Sequence, residues 1–153
     1  MKWMYLLFVV LFSPLNSSVV FAEEAPVDIK GVITINSHQA KRLHELGAPF
    51  IDVRSERQWR WGRIEGAHNL DLQESFRQLF MTGTLDKDTP LVIYGNSSYH
   101  MSGAIASYLA ALWGYKKIFF FRDGYFTWLA LDYPVALKSD QAGSDSENLS
   151  LSD

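Results

Sequence analysis

Between Val27 and Leu137 short apolar runs alternate with stretches whose apolar positions recur every three or four residues. That alternation predicts strands interleaved with helices, the pattern of an α/β sheet. Val32 to Ile35 reads as the first strand. Asn36 follows as a helix N-cap, with Gln39 three residues on as its capping-box partner. Ala40, Leu43 and Leu46 give that helix an apolar face, and Gly47 suits a left-handed C-cap. Phe50 to Val53 is the next strand, after which Ser55 caps a short helix carrying Gln58, Trp59 and Trp61 and stopped by Gly62.

Gly66 then turns the chain into a strand from His68 to Leu72, and Gln73 to Phe80 is predicted helical with Phe76, Leu79 and Phe80 as its core stripe. Leu91 to Tyr94 is apolar throughout, as a strand covered on both faces should be. A loop of small and polar residues leads to a helix from Ser102 to Trp113, with Gly114 at its end. Ile105, Leu109 and Leu112, spaced four and three, are expected to face the sheet. Ile118 to Phe121 is the last strand, and Asp123-Gly124 turns into a final short helix bearing Trp128.

The two ends differ from this middle. Lys2, the apolar run Trp3 to Phe12, the break at Ser13-Pro14 and the small or apolar Val20-Phe21-Ala22 have the order of a secretory signal peptide. Residues 1–22 are therefore expected to be removed after Ala22, placing the protein in the periplasm. An uncleaved anchor is the alternative, and the only route to a membrane that the sequence suggests. Residues 138–153 are polar, acidic and serine-rich, and are expected to form a disordered tail, with Leu149 and Leu151 as the apolar points of any docking peptide. The folded domain is then expected over residues 27–137.

Composition narrows the chemistry. The 153 residues carry a formal net charge of -3, and Lys and Arg are not clustered, so nucleic acid is not an expected partner. His38, His44, His68 and His100 lie on different predicted elements without HxH or HExxH spacing, so neither a metal site nor any other cofactor is expected. There is no cysteine, so an exported domain of this sequence holds together without disulfides.

Three blocks, in order, carry a resemblance. They are DVRS from Asp52 to Ser55 with Trp59 and GRIEGAHNL following; LVIY with its loop and SGAIASYLAALWGY; and RDGYFTWLALDYPV. Together they resemble the rhodanese homology family over about residues 33–135. The resemblance implies a single rhodanese-like α/β domain, a mainly parallel five-stranded sheet with helices on both faces. It also implies sulfur transfer through a cysteine persulfide at the end of the LVIY strand. In this chain that register falls on Gly95, or on Asn96 if the loop is one residue shorter, and Tyr99 stands where some exported relatives carry a second cysteine. Persulfide transfer needs a soft thiolate, which no residue here supplies. The same gap removes a cysteine-phosphatase reaction.

What the resemblance leaves is a loop, Gly95, Asn96, Ser97, Ser98, Tyr99, His100, Met101 and Ser102, whose inward N–H groups above a helix N-terminus would favour an anion. Asp52, Arg54 and Arg122 are the expected organisers of that pocket, with Asp52 and Arg54 as a buried pair. Trp59 is expected to plug the core and Trp61 to be partly exposed. The leading expectation is an exported module, inactive as a sulfurtransferase, that binds a small anion or a periplasmic protein. One alternative is an enzyme using Ser97, Ser98 and His100, although no G-x-S-x-G elbow positions a serine. Another is a purely structural partner domain.

Overall fold

A computed structural model describes residues 23–83 and 85–138. The expected signal peptide and all of the expected tail except Lys138 lie outside these residues. The elements run β1 (Val32–Ile35), α1 (Ser37–Glu45), β2 (Phe50–Asp52), α2 (Glu56–Trp61), β3 (Gly62–Ile64), β4 (His68–Asn69), α3 (Gln78–Met81), β5 (Leu91–Tyr94), α4 (Ser102–Leu112), β6 (Ile118–Phe121), α5 (Gly124–Ala130) and β7 (Val135–Leu137). Five strands form one parallel sheet in the order β1-β6-β5-β2-β4, and β3 pairs antiparallel with β7 beside it.

Local chemistry explains the element boundaries. Asn36 accepts from the Gln39 amide while the Gln39 side chain accepts from the Asn36 amide, and Ser55 and Gln58 repeat this box at α2. Both satisfy N–H groups a helix start otherwise leaves bare. Gly47, with φ at +77°, ends the first helical segment in the left-handed region, where a Cβ would be strained.

Alternation along the strands divides the core. Phe50, Val92, Tyr94 and Phe121 face α1 and α5, packing on Ala40 and the fully buried Trp128. Ile51, Ile93, Leu91 and Ile118 face the other way, onto α3 and α4. Because the parallel strands end together, the loops after β2, β5 and β6 gather at one end of the sheet, where α/β folds place their sites.

Three expectations need correction. The face of α4 against the sheet is not Ile105, Leu109 and Leu112. Gly103, Ala104, Ala106, Ser107 and Ala110 are buried there, while Ile105 and Leu112 are exposed and Leu109 is half-buried. Small residues win because the helix lies so close to β6 that a Cβ on Gly103 would stand 2.8 Å from the Phe120 ring. The predicted helix from Gln73 shortens to Gln78–Met81, because the Asp71 carbonyl gathers the amides of Glu74, Ser75 and Phe76 into turns. Phe76 and Leu79 are buried as expected, whereas Phe80 is exposed and lies against Trp113. Leu46 of the first helical face is also exposed.

The α4 correction has a direct stability test. Ile105→Ser should change unfolding free energy by no more than about 0.5 kcal/mol, as surface substitutions do. Ala106→Leu should cost about 1–3 kcal/mol by overpacking. Urea denaturation of both variants decides it: a larger loss from Ile105→Ser would put the original face back against the sheet.

Candidate active-site pocket

Asp52 ends β2 and Arg54 follows two residues on, both almost wholly buried. The guanidinium Nε donates to Asp52 Oδ1 and Oδ2 at 2.9 and 3.1 Å, and Nη2 donates to Oδ2 at 2.6 Å. Nη2 also donates to the Gly62 carbonyl at 2.7 Å, which ties the α2–β3 corner to the sheet. Tyr94, on the neighbouring strand, donates its hydroxyl to Asp52 Oδ2 at 2.7 Å. The Asn69 amide group donates to the carbonyls of Asp52 and Arg54, and the guanidinium carbon lies 4.0 Å from the Tyr125 ring centre.

Electrostatics follow from that burial. Desolvation works to lower the Arg54 pKa, but hydrogen bonding and charge from Asp52 outweigh it and hold the group above its ordinary value. Burial, reinforced by the Asp52 charge, pushes the Tyr94 phenol well above the usual tyrosine range. Burial raises Tyr125 too, with Arg54 opposing.

The loop after β5 rests on the start of α5. Gly124 sits at φ +68°, and a Cβ there would lie 2.6 Å from the Gly95 oxygen and 2.7 Å from the Asn96 carbonyl carbon. With glycine the backbones close: Tyr125 N–H donates to the Gly95 carbonyl at 2.9 Å and Phe126 N–H to that of Asn96 at 3.0 Å. Gly95 is itself pressed against α4, since a Cβ on it would stand 2.8 Å from Ser102 Oγ and 3.4 Å from the Gly103 nitrogen. A side chain at position 95 would first meet Ser102 Oγ, the end of a rotatable side chain, with the α4 backbone at ordinary contact distance. Asn96, nine-tenths buried, lines the open space of the site.

That space has two parts, both bordered by Asn96. The larger, about 460 Å³, is lined by Arg54, Arg57, Gln58, Trp61, Gly62, Tyr125 and Phe126 as well. The smaller, about 210 Å³, reaches Ser55, Asp71, Gln73 and Ser102 among others. Asn96 Oδ1 has no hydrogen-bond partner among the described residues. Tyr99 and Met101 are exposed and line neither part.

The rest of the loop is held from outside. Ala25 N–H donates to the Ser98 carbonyl at 2.7 Å, and Arg122 Nε donates to the Ala25 carbonyl at 2.8 Å while its Nη2 pairs with Glu24. Arg122, expected to organise the pocket, thus holds the segment before β1 and through Ala25 the loop, and lines neither part of the cavity. Ser97 Oγ and His100 Nδ1 are 2.9 Å apart, and Ser97 Oγ also accepts from the Tyr99 amide. Ser97 lines neither part of the pocket, so the pair shapes a turn.

Arg57, Tyr125 and Phe126 were not singled out from the sequence. Trp61, expected to be partly exposed, is 72% exposed and forms one wall. Trp59 is half-buried, donating Nε1–H to the Ala67 carbonyl at 3.1 Å beneath the Arg63 guanidinium.

Comparison with known proteins agrees with this architecture. Residues 36–131 match the rhodanese-like domain family. The chain belongs to that family. Among curated relatives, the thiosulfate sulfurtransferase GlpE of Ectopseudomonas mendocina is 32% identical over 99 residues, covering 63% of this chain and 84% of that protein. GlpE of Pseudomonas paraeruginosa is 27% identical over 111 residues, covering 71% and 93%. Among solved structures, the rhodanese-like domain of an Anabaena protein superposes with a TM-score of 0.59 at 21% identity, covering 67% of this chain and 77% of that one. The polysulfide-sulfur transferase of Wolinella succinogenes gives 0.55 at 19%, covering 69% and 79%. These structural neighbours share the fold.

The buried tyrosine predicts a pH effect. An unfolded tyrosine ionises near pH ~10, while folded Tyr94 holds its proton to higher pH. Above pH ~10 the unfolded chain thus binds fewer protons, and stability falls as pH rises towards the folded value. Below that pH the contribution is complete. Tyr94→Phe should lower stability at neutral pH by about 1–3 kcal/mol, by leaving an Asp52 oxygen short of a donor, and flatten the alkaline decline. Tyr125 retains part of the slope. Denaturation midpoints from pH 8 to 11 ~ in small steps would show it; an unchanged slope in the variant removes Tyr94 as its source.

Proposed function

We propose that this rhodanese-like domain has no sulfurtransferase activity and serves in the periplasm as a binding module, with the cavity over Asn96 as its contact site for a small anion or a protein partner. The observation that carries the reading is the identity of Asn96. Asn96 borders both parts of the pocket, and it is an amide in a chain without a cysteine. An amide neither attacks a sulfane sulfur nor releases one.

The surroundings favour binding. A buried polar atom without a partner is uncommon in native proteins, and Asn96 Oδ1 is one. An amide side chain presents either oxygen or N–H₂ after a half-turn, so it can meet a hydroxyl or an anion. Arg57 supplies a positive charge without an ion pair among the described residues, and Trp61 and Phe126 supply exposed aromatic surface. Arg, Trp and other aromatics are the residue types that anchor protein interfaces.

The test is a matched pair of cysteine variants. Wild type should show no thiosulfate:cyanide turnover above a blank. Asn96→Cys should gain the mass of one sulfur atom on exposure to thiosulfate. Gly95→Cys, whose Cβ must displace the Ser102 hydroxyl, should take up less sulfur than Asn96→Cys. Turnover by wild type would overturn the reading. Modification at position 95 in place of 96 would move the vestigial site.

A further inference from the structure

Residues 139–153 begin beside the cavity. Leu137 pairs with Gly62 across the β3–β7 ladder, and Gly62 lines the cavity wall. Strands in a ladder are about 4.8 Å apart, so the chain leaves β7 one strand-width from that wall. Fifteen residues span at most about 50 Å when fully extended. Every part of the cavity rim is then within range.

The segment's chemistry matches what the cavity offers. It carries Asp140, Asp145, Glu147 and Asp153 and no Lys or Arg. Its apolar side chains of any size are Leu149 and Leu151, two apart, which places both on one side of an extended backbone. Arg57, which has no ion pair among the described residues, lines the cavity together with Trp61 and Phe126. Arg60, on the same short helix, is already matched by Glu56.

We propose that residues 139–153 fold back as an internal ligand of this cavity, with the carboxylates near Arg57 and Leu149 or Leu151 against Trp61 and Phe126. The proposal rests on the reading that the cavity is a binding site. Tethering matters here, because a partner held within reach on the same chain acts at about millimolar effective concentration. A contact of only millimolar affinity is thereby occupied about half the time. An outside ligand must displace the segment, which makes it a built-in competitor.

The absence of cysteine makes the test clean. Ser150→Cys in the full chain provides one thiol for a nitroxide label, read by paramagnetic broadening of ¹⁵N-amide signals. Signals of Arg57, Trp61 and Phe126 should lose most of their intensity, while Leu112 at the far end of α4 keeps its own. Arg57→Glu, paired Leu149→Ser and Leu151→Ser, or ~1 M salt, where screening acts within about 3 Å, should each restore a large part of the loss. The proposal fails if the pocket signals match Leu112. It also fails if none of these changes restores them, or if broadening arises only when labelled and isotope-enriched chains are separate molecules. Broadening in a protein whose Asn96→Cys variant takes no sulfur would keep the internal contact and refute the vestigial-site reading. The reverse result would do the opposite.

Discussion

Burying a carboxylate and a guanidinium together is costly unless nearly every oxygen and nitrogen finds a partner, and this end of the sheet is arranged around that demand. Asp52 comes from β2, its second donor Tyr94 from β5, and Arg54 reaches the Gly62 carbonyl at the start of β3. The Tyr125 ring of α5 covers the guanidinium. One ion pair thus joins four elements that sequence separation would otherwise leave independent. Taking away one partner would strand the other charge in the interior, a loss of about 3–5 kcal/mol. The pair is not itself a reactive group. Both charges are engaged with each other, and Arg54 meets the cavity only as part of its wall.

Glycine contacts carry that order to the loop. Gly124 allows α5 to approach the carbonyls of Gly95 and Asn96, so Tyr125 is fixed against both the guanidinium and the loop. Gly95 in turn lets the strand end lie against Ser102 and Gly103 of α4. Asn96 is the next residue along, and it borders both parts of the cavity. The register of the family motif leaves positions 95 and 96 as candidates for a relative's cysteine.

This marks where the sequence is readable and where it is not. Boundaries set by chemistry within a few residues are legible: the two capping boxes, the apolar strands Val32–Ile35, Leu91–Tyr94 and Ile118–Phe121, and the glycine turns. The buried Asp52–Arg54 pair is legible too, because two opposite charges at a strand end need each other. The inner face of α4 is not. Large and small residues both recur at helical spacing there, and only the distance to Phe120 selects the small set. Nor are Arg57 and Phe126, which come from distant segments and meet only because Gly124 draws α5 onto the loop.

The charge of the pocket follows from which of its groups are already matched. Asn96 is neutral, Arg54 is already matched by Asp52, and Arg57 has no ion pair among the described residues. The walls therefore leave one cation, Arg57, without a matching anion among the described residues. Attraction for carboxylates is the expected consequence. The pocket's apolar faces set which carboxylates can also bury carbon, and an acidic segment bearing leucines meets both conditions.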